Sequence, residues 1–173
     1  MESCGSRNND GRACRFVPNF FCPLANERVD PETRLAAGDE ALLDVVADDV
    51  FDAPIQPDKL SAFLAGDGRL MVLALQDGVV VGQARAMVHL SPDQDDELYI
   101  DNMGVAPPLL RQGIGGRLLD ELLAWGVELG CDYAWLGTEV DNLPARALYE
   151  SRGGASETML IFEYALGGET DSD

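Results

Sequence analysis

The apolar and polar positions between residues 32 and 165 divide the chain into short strands and helices. The pattern predicts strands over 32–36, 69–76, 79–90, 97–105, 133–138 and 157–165. It predicts helices over 40–49, 57–65, 113–129 and 143–151. Because hairpin strands come first and strands then alternate with helices, we expect an α/β (α+β mixed) fold. It would have a mixed sheet of about six to seven strands and helices on both faces.

One predicted strand passes into a helix through a glycine-rich turn. The alternating segment 97–105 is followed by Arg111-Gln-Gly-Ile-Gly-Gly116, and an amphipathic helix begins without a gap. Glycines let a backbone approach a phosphate, and the first-turn N–H groups of a helix have no partners within it. This order of elements therefore predicts an anion site. The Rossmann and Walker spacings are absent, and an ordinary tight turn is the alternative.

The two ends of the chain differ from its middle. Residues 1–30 lack periodicity and are rich in Asn, Arg, Ser and Pro, which indicates a flexible N-terminal extension. We expect residues 31–167 to form a single domain and 168–173 an acidic tail, because 173 residues suffice for one substantial core.

The charge of the chain narrows the classes of ligand. Its formal net charge is −19, and Lys59 is its single lysine. Phosphate is repelled by such a surface, so nucleic acid is disfavoured, whereas a cationic small molecule or a basic peptide is favoured. The acids concentrate in and after the first predicted helix and at the entry to the 97–105 strand. A solvated acidic face is the alternative interpretation.

Neither a metal nor a membrane is an expected partner. The four cysteines (Cys4, Cys14, Cys22 and Cys131) fit no zinc module, and His89 is the single histidine. No apolar run approaches the ~20 residues that a membrane span needs. Two prolines and an asparagine interrupt the apolar stretch 16–25, so a signal peptide is not expected, and we expect a cytoplasmic protein.

Two segments carry a resemblance to a known family. Leu110–Gly115 is similar to the motif Gln/Arg-x-x-Gly-x-Gly/Ala of the GNAT superfamily of N-acetyltransferases, with Leu110 as a departure. Asn142–Tyr149, followed by Gly153, resembles the second hallmark of that family, Asn-x-x-Ala-x-x-Leu-Tyr. The order of elements over 32–166 also matches. The resemblance implies a GNAT-like sheet that is splayed at the strand beside acetyl-CoA, acetyl-CoA as cosubstrate, and a homodimer.

Within that family the chain is most similar to the aminoglycoside 3-N-acetyltransferases. Val50-Phe-Asp52, Glu97–Val105, Pro144–Tyr149 and Met159–Phe162 carry this similarity, whereas Asn102 stands where the group has an Asp. The resemblance implies acetyl transfer to an aminoglycoside and antibiotic resistance. A polyamine, an amino acid or a protein amine is the alternative acceptor. A non-catalytic acyl-CoA-binding module is the alternative from a different functional class.

The resemblance also implies which residues bind the cosubstrate. The backbone at the end of the 97–105 strand would pair with the pantetheine arm, the amide of Val105 would polarise the thioester carbonyl, and Gly104 fits a bulge. Asn142 matches a cofactor contact, and a helix N-cap is its alternative role. The full expected set is Met103, Gly104, Val105, Arg111, Gln112, Gly113, Ile114, Gly115, Gly116, Asn142 and Ala145.

Acetyl transfer to an amine needs a proton acceptor for the ammonium and an acid for the leaving thiolate. The motif match makes Tyr149 the expected acid, since a phenol with a pKa of ~10 stays protonated. Glu97 and Asp101 are four residues apart on one strand, so period two places both, with Tyr99, on one face. Either carboxylate is a candidate base. Expected acceptor-binding residues are Asp52, Tyr99, Glu139 and Asp141.

Overall fold

The computed structural model describes residue 29 and residues 32–165. In this part of the chain the strands are β1 (Thr33–Arg34), β2 (Arg69–Gln76), β3 (Val79–His89), β4 (Glu97–Val105) and β5 (Tyr133–Trp135). The α-helices are α1 (Pro57–Leu64), α2 (Ile114–Glu128) and α3 (Leu143–Ser151). Short 3-10 turns lie at Glu40–Leu43 and Pro107–Leu109.

The described strands form one mixed sheet in the order β1-β2-β3-β4-β5. Neighbours from β1 to β4 are antiparallel, and β5 joins β4 in parallel after the chain has crossed over through α2. Asp77 and Gly78, with φ values of 52° and 77°, make the tight turn between β2 and β3. The expected mixed sheet is confirmed, with five strands in the described residues instead of six to seven.

Helices cover both faces of the sheet, as the pattern predicts. Alternate residues of β2 enter two different core clusters, so this strand is buried on both faces. Leu70 and Val72 pack in the cluster that contains Leu118 and Leu122 of α2. Met71 and Leu73 pack in the opposite cluster, which contains Leu64 of α1.

A cationic side chain ties the first strand to α2. Arg34 donates from Nε to Glu121 at 2.6 Å and from Nη2 to Glu128 at 2.9 Å, and its guanidinium lies 5.0 Å from the Trp125 ring centre. The hydrogen bond from Arg34 holds the pKa of the exposed Glu128 carboxyl below its usual value. These contacts help to fix the position of α2, whose N-terminus is the candidate anion site.

The bulge in β4 lies at Asp101 and not at Gly104. Arg85 of β3 pairs with Asn102 while Ala86 pairs with Ile100, which leaves Asp101 as the extra residue. The simple alternation that would place Asp101 on the face of Glu97 and Tyr99 is therefore broken. Asn102 takes the position opposite Arg85 instead. An extra residue in one strand leaves no periodic signal that the sequence pattern can reveal.

Two predicted elements differ in the structure. The helix expected over 40–49 is a single 3-10 turn, Glu40–Leu43, because the next residues turn to the sheet and Val46 bridges to Val80. Asp49 has a φ of 59°, which no α-helix accepts. The strand expected over 157–165 is not formed, and all its residues are exposed.

The other predicted elements are confirmed, some with shorter bounds. The first strand is reduced to Thr33–Arg34, and the 133–138 strand to Tyr133–Trp135. The predicted N-terminal extension over 1–30 lies outside the described residues except for residue 29, and the predicted acidic tail over 168–173 lies entirely outside them.

Candidate active site

The N-terminus of α2 presents backbone donors without a side-chain cap. Arg111 and Gly113 both have left-handed backbone conformations, with φ values of 62° and 82°. The N-cap residue Gly113 has no side chain that could bond to the first-turn N–H groups, and its carbonyl accepts from Arg117 N at 3.1 Å. Those N–H groups and the positive end of the helix dipole can hold a phosphate. Gly113 permits this turn because it has no Cβ.

Two further glycines allow α3 to approach the first turn of α2. A Cβ on Gly115 would lie 3.3 Å from Leu148 of α3 and 3.8 Å from Val105 of β4. The guanidinium of Arg152, just after α3, fills the space that a Cβ on Gly116 would need, and it bonds to Asp120 at 3.2 Å. Arg152 thus lies beside the first turn of α2, and Asp120 pairs with its charge. Sequence reasoning passed over this residue, and its position directly after the second hallmark is the signal that could have found it.

The second hallmark forms α3, and Asn142 caps it. Asn142 Oδ1 accepts from Ala145 N at 3.3 Å, and its Nδ2 donates to Thr138 Oγ1 at 3.2 Å. The N-cap role is therefore observed for Asn142. The helix follows β5 in the chain, and Tyr149 on it packs against the core cluster around α2.

Tyr149 is partly buried in the core cluster that includes α2 residues. Burial raises the pKa of its phenol above the ordinary value, and the charge of Glu139 acts in the same direction. The hydroxyl therefore stays protonated over the whole neutral range. Such a group can donate a proton or a hydrogen bond and cannot serve as a base near pH 7.

Glu97 lies at the far end of β4 from Val105. Its Oε2 accepts from the Trp135 indole Nε1 at 3.1 Å, and the Tyr99 and Trp135 rings are 4.4 Å apart. Eight steps along a strand at about 3.3 Å each separate Glu97 from Val105 by roughly 26 Å. The structure therefore brings Glu97 together with Tyr99 and separates both from the glycine-rich turn.

Asp101 and Asn102 are near the C-terminal half of β4. Asp101 forms an ion pair with Arg85 Nη2 of β3 at 3.2 Å. Asn102 donates from Nδ2 to Asp52 Oδ2 at 2.9 Å. Arg85, like Arg152, is a charged group that sequence reasoning did not single out, because its role depends on the pairing of β3 with β4.

A cavity of about 330 Å³ opens beside this part of β4. Apolar side chains make most of its wall, and its polar wall includes Asp52, Asn102, Arg85 and Lys59. Because Asp101 neutralises Arg85, the charges of Asp52 and Lys59 leave the cavity close to neutral. A small amine with an apolar or sugar body can fit such a space.

The residues expected to bind an acceptor do not all meet. Asp52 lines the cavity, whereas Tyr99, Glu139 and Asp141 are not part of its wall. Glu139 lies close enough to Tyr149 to influence its pKa. The three carboxylates Asp52, Glu139 and Asp141 therefore do not form one cluster around this cavity.

Within the described residues, no three His, Cys, Asp or Glu side chains are grouped so that they could hold a metal ion. None of the helices described above is long and apolar enough to cross a membrane. Cys131 is buried, and this burial raises the pKa of its thiol.

The sequence matches the acetyltransferase (GNAT) family over residues 39–154. No curated protein sequence matches the chain. Several solved structures share its fold. The aminoglycoside acetyltransferase HMB0005 from an uncultured soil metagenomic sample is 25% identical, with a TM-score of 0.69 over 81% of this chain and 99% of that one.

Two further structures are more distant in sequence. The aminoglycoside N-acetyltransferase AAC(6')-Iy, in complex with the bisubstrate analogue CoA-S-monomethyl-acetylneamine, is 17% identical, with a TM-score of 0.65 over 81% of this chain and 99% of that one. The glucosamine-6-phosphate N-acetyltransferase of Arabidopsis thaliana is 15% identical, with a TM-score of 0.57 over 62% and 75%. The family match spans most of the chain and includes both the uncapped N-terminus of α2 and α3. The chain therefore belongs to the GNAT acetyltransferase family.

Proposed function

We propose that this protein transfers an acetyl group from acetyl-CoA to an amine of a cationic small molecule, with an aminoglycoside as the leading acceptor. The observation that carries the proposal is the position of Asp52 and Asn102 in a cavity beside β4. The same strand leads, through the glycine-rich turn, to the uncapped N-terminus of α2. Two of the similar structures are named aminoglycoside acetyltransferases, which supports this acceptor class. We propose the 3-N amine as the position and drug resistance as the consequence.

The cosubstrate would bind along β4 and α2. Backbone donors between Arg111 and Gly116 would hold the pyrophosphate. The backbone from Met103 to Val105 pairs with β3 on one side and lies beyond the residues that pair with β5 on the other, where it would pair with the pantetheine arm. The remaining expected contacts are Gln112, Gly113, Ile114, Gly115, Asn142 and Ala145. Arg152 lies next to these backbone donors, and its ion pair with Asp120 would have to open for it to contact the pyrophosphate.

The chemistry requires balanced proton movements. The acceptor ammonium gives one proton to a carboxylate, its nitrogen forms a bond to the acetyl carbon, and the C–S bond breaks. The thiolate takes a proton from the Tyr149 hydroxyl, and the second proton that leaves the nitrogen restores this hydroxyl. The amide of Val105 would donate to the carbonyl oxygen as negative charge develops there.

Asp101 and Glu97 are the carboxylates of β4 that we propose for the base. Asp101 is four residues from Val105, about 13 Å along a strand, whereas Glu97 is about twice as far. This difference favours Asp101, although its ion pair with Arg85 must open for it to take a proton. We propose that Tyr99, Glu139 and Asp141 contact the outer parts of the acceptor.

The test measures thiol release from acetyl-CoA with gentamicin-like and kanamycin-like aminoglycosides, spermidine and a basic peptide. Turnover on aminoglycosides alone supports the proposal, and the acetylated position is then read by NMR of the product. Turnover on spermidine or peptide alone keeps the reaction and removes the resistance role. Binding of acetyl-CoA without turnover on any acceptor overturns the enzymatic proposal in favour of a binding module.

We also propose that the protein acts as a homodimer. In the described residues, β5 is an edge strand, and the apolar segment 159–162 is exposed, with Leu160 at 80% and Ile161 at 77%. A continuous apolar run is typical of a strand that is buried on both faces. A second copy would offer this segment a sheet edge and would receive the equivalent segment in return.

A further inference from the structure

The side chain of Gln83 is buried at the centre of the fold without a packing reason. It is 0% exposed on β3, and its Oε1 has no hydrogen-bond partner. A buried amide oxygen without a partner destabilises the folded state, because its hydrogen bond to water is lost and not replaced. A leucine of similar volume would avoid this cost. Core stability alone therefore does not account for a glutamine at this position.

The amide nitrogen of Gln83 has two acceptors that determine its orientation. Nε2 donates to the backbone carbonyl of Val50 at 3.3 Å and to Asn102 Oδ1 at 2.5 Å. A backbone carbonyl can only accept, so the end of Gln83 that faces it must be the NH₂ group. The same NH₂ group then requires Asn102 to present its oxygen towards β3.

The orientation of Asn102 determines which of its amide atoms contacts the Asp52 carboxylate. With its oxygen turned to Gln83, Asn102 presents Nδ2 to the loop, and Nδ2 donates to Asp52 Oδ2 at 2.9 Å. Asp52 thus has one oxygen held by an amide donor and lies in the wall of the cavity. An aspartate in place of Asn102 would set two carboxylates against each other at this distance and would disfavour the charged pair.

We propose that Gln83 and Asn102 are positioning residues that hold the Asp52 carboxylate in place to bind the reacting ammonium group of the acceptor. This inference rests on the proposed function and specifies its acceptor site. The Val50 carbonyl fixes the orientation of the Gln83 amide, and Gln83 in turn fixes that of Asn102. Asn102 therefore presents its NH₂ group, a donor, to Asp52. The fixed carboxylate of Asp52 then attracts an ammonium group and repels an acidic one.

Two cationic side chains, Arg85 and Lys59, line the cavity together with Asp52. Arg85 lines the same cavity, and its Nη2 forms an ion pair with Asp101 of β4 in this structure. Lys59 lies in the wall formed by α1 and is exposed to solvent. Among the described residues that line this cavity Asp52 is the one carboxylate, which makes it the group that an ammonium would contact.

The first experiment compares Michaelis constants for acceptor and acetyl-CoA in Asp52→Asn, Gln83→Leu and Gln76→Leu proteins. We expect the acceptor KM to rise about tenfold or more for Asp52→Asn and severalfold for Gln83→Leu, with the acetyl-CoA KM unchanged. Gln76 is a second buried glutamine, at the β2–β3 turn, and serves as the matched control. An unchanged acceptor KM in folded Gln83→Leu protein overturns the positioning role.

A second experiment exchanges the two side chains. Asp52→Asn and Asn102→Asp are each expected to impair acceptor binding, whereas the double variant keeps one carboxylate and one amide in contact and should recover part of it. A merely structural role predicts additive losses instead. Recovery is also measured as the binding of spermidine and of an aminoglycoside by calorimetry, so the outcome does not depend on turnover. Wild-type binding without acetylation would overturn the proposed function alone.

Discussion

The carbonyl oxygen of Val50 occupies the space that a Cβ on Gly104 would need. The loop that carries Asp52 therefore lies directly on β4, one residue before Val105. Only a glycine permits this approach, since any side chain would push the loop away from the strand. The contact explains how a loop with little regular structure holds a carboxylate at a defined place beside the central strand.

Gly104→Ala tests this contact. We expect a loss of about 1–3 kcal/mol in the free energy of unfolding, because the added carbon cannot be accommodated without a backbone shift. The acceptor KM should rise as the loop with Asp52 moves. Urea denaturation and steady-state kinetics measure both effects. Gly137→Ala is the control, because a Cβ there would have no neighbour within 4 Å. Equal stability of the two variants would contradict the assigned contact.

Gly113→Ala tests the turn before α2. The left-handed backbone conformation of Gly113 would destabilise a residue with a Cβ by about 1 kcal/mol. A backbone shift that relieves this strain would reorient the first-turn N–H groups of α2. We expect the dissociation constant of CoA to rise severalfold, measured by calorimetry. Gly38→Ala imposes similar strain, at a φ of 103°, away from α2. If both variants bind CoA equally well, the anion site is not at this turn.

The sequence pattern predicted those parts of the fold that depend on local chemistry. Helix α3 has the predicted bounds 143–151 because Asn142 caps it and Pro144, two residues later, lies in its first turn. The strand β4 and the glycine-rich turn were recognised for the same reason. The hydrogen bonds among Gln83, Asn102 and Asp52 depend on a strand pairing and a loop 50 residues away, which no local pattern encodes.

Competition between local and distant contacts explains why the helix predicted over 40–49 and the regular alternation predicted for β4 are not observed. The acidic stretch after Glu40 has helix-compatible spacing, but Val46 finds a backbone partner in Val80, and the chain turns at Asp49. The bulge at Asp101 is likewise a product of pairing, since it is defined by what β3 places opposite Asn102 and Ile100. Register and loop path belong to the assembled sheet.

Tyr149→Phe tests the proposed acid. Removal of one hydroxyl should lower kcat by about 10²–10⁴, the usual contribution of a positioned proton donor, and leave CoA affinity unchanged. Tyr133→Phe is the control, because Tyr133 is 61% exposed on the edge strand. Single-turnover and steady-state kinetics separate the chemical step from product release. A kcat for Tyr149→Phe that equals the wild-type value would remove this residue from the mechanism.

The raised pKa of Tyr149 also predicts a pH dependence of stability. The folded protein holds the phenol proton more tightly than the unfolded chain, whose tyrosines titrate near 10.0. The resulting stabilisation is complete below that pH and disappears as the pH rises through the higher pKa of the folded state. Urea denaturation at pH 8 and at pH 11 should show a smaller alkaline loss for Tyr149→Phe than for wild type. Equal losses would mean that burial does not raise this pKa.

The apolar segment 159–162 leads to a prediction about oligomeric state. A second copy that covers this segment would remove several exposed apolar side chains from water, which favours association despite the acidic surface. We expect wild-type protein to sediment as a dimer and Ile161→Lys to sediment as a monomer of lower stability.

The control for this prediction introduces a lysine at a nearby position that already carries a polar side chain. Glu163→Lys changes the net charge by two units and leaves the apolar run intact, so it should remain dimeric. Hydrogen exchange then locates the segment in the wild-type protein. Protected amides at 159–162 in a dimer that Ile161→Lys dissociates support exchange of this segment between copies. Protected amides in a monomer would mean that the segment packs against its own β5, and the dimer proposal would be wrong.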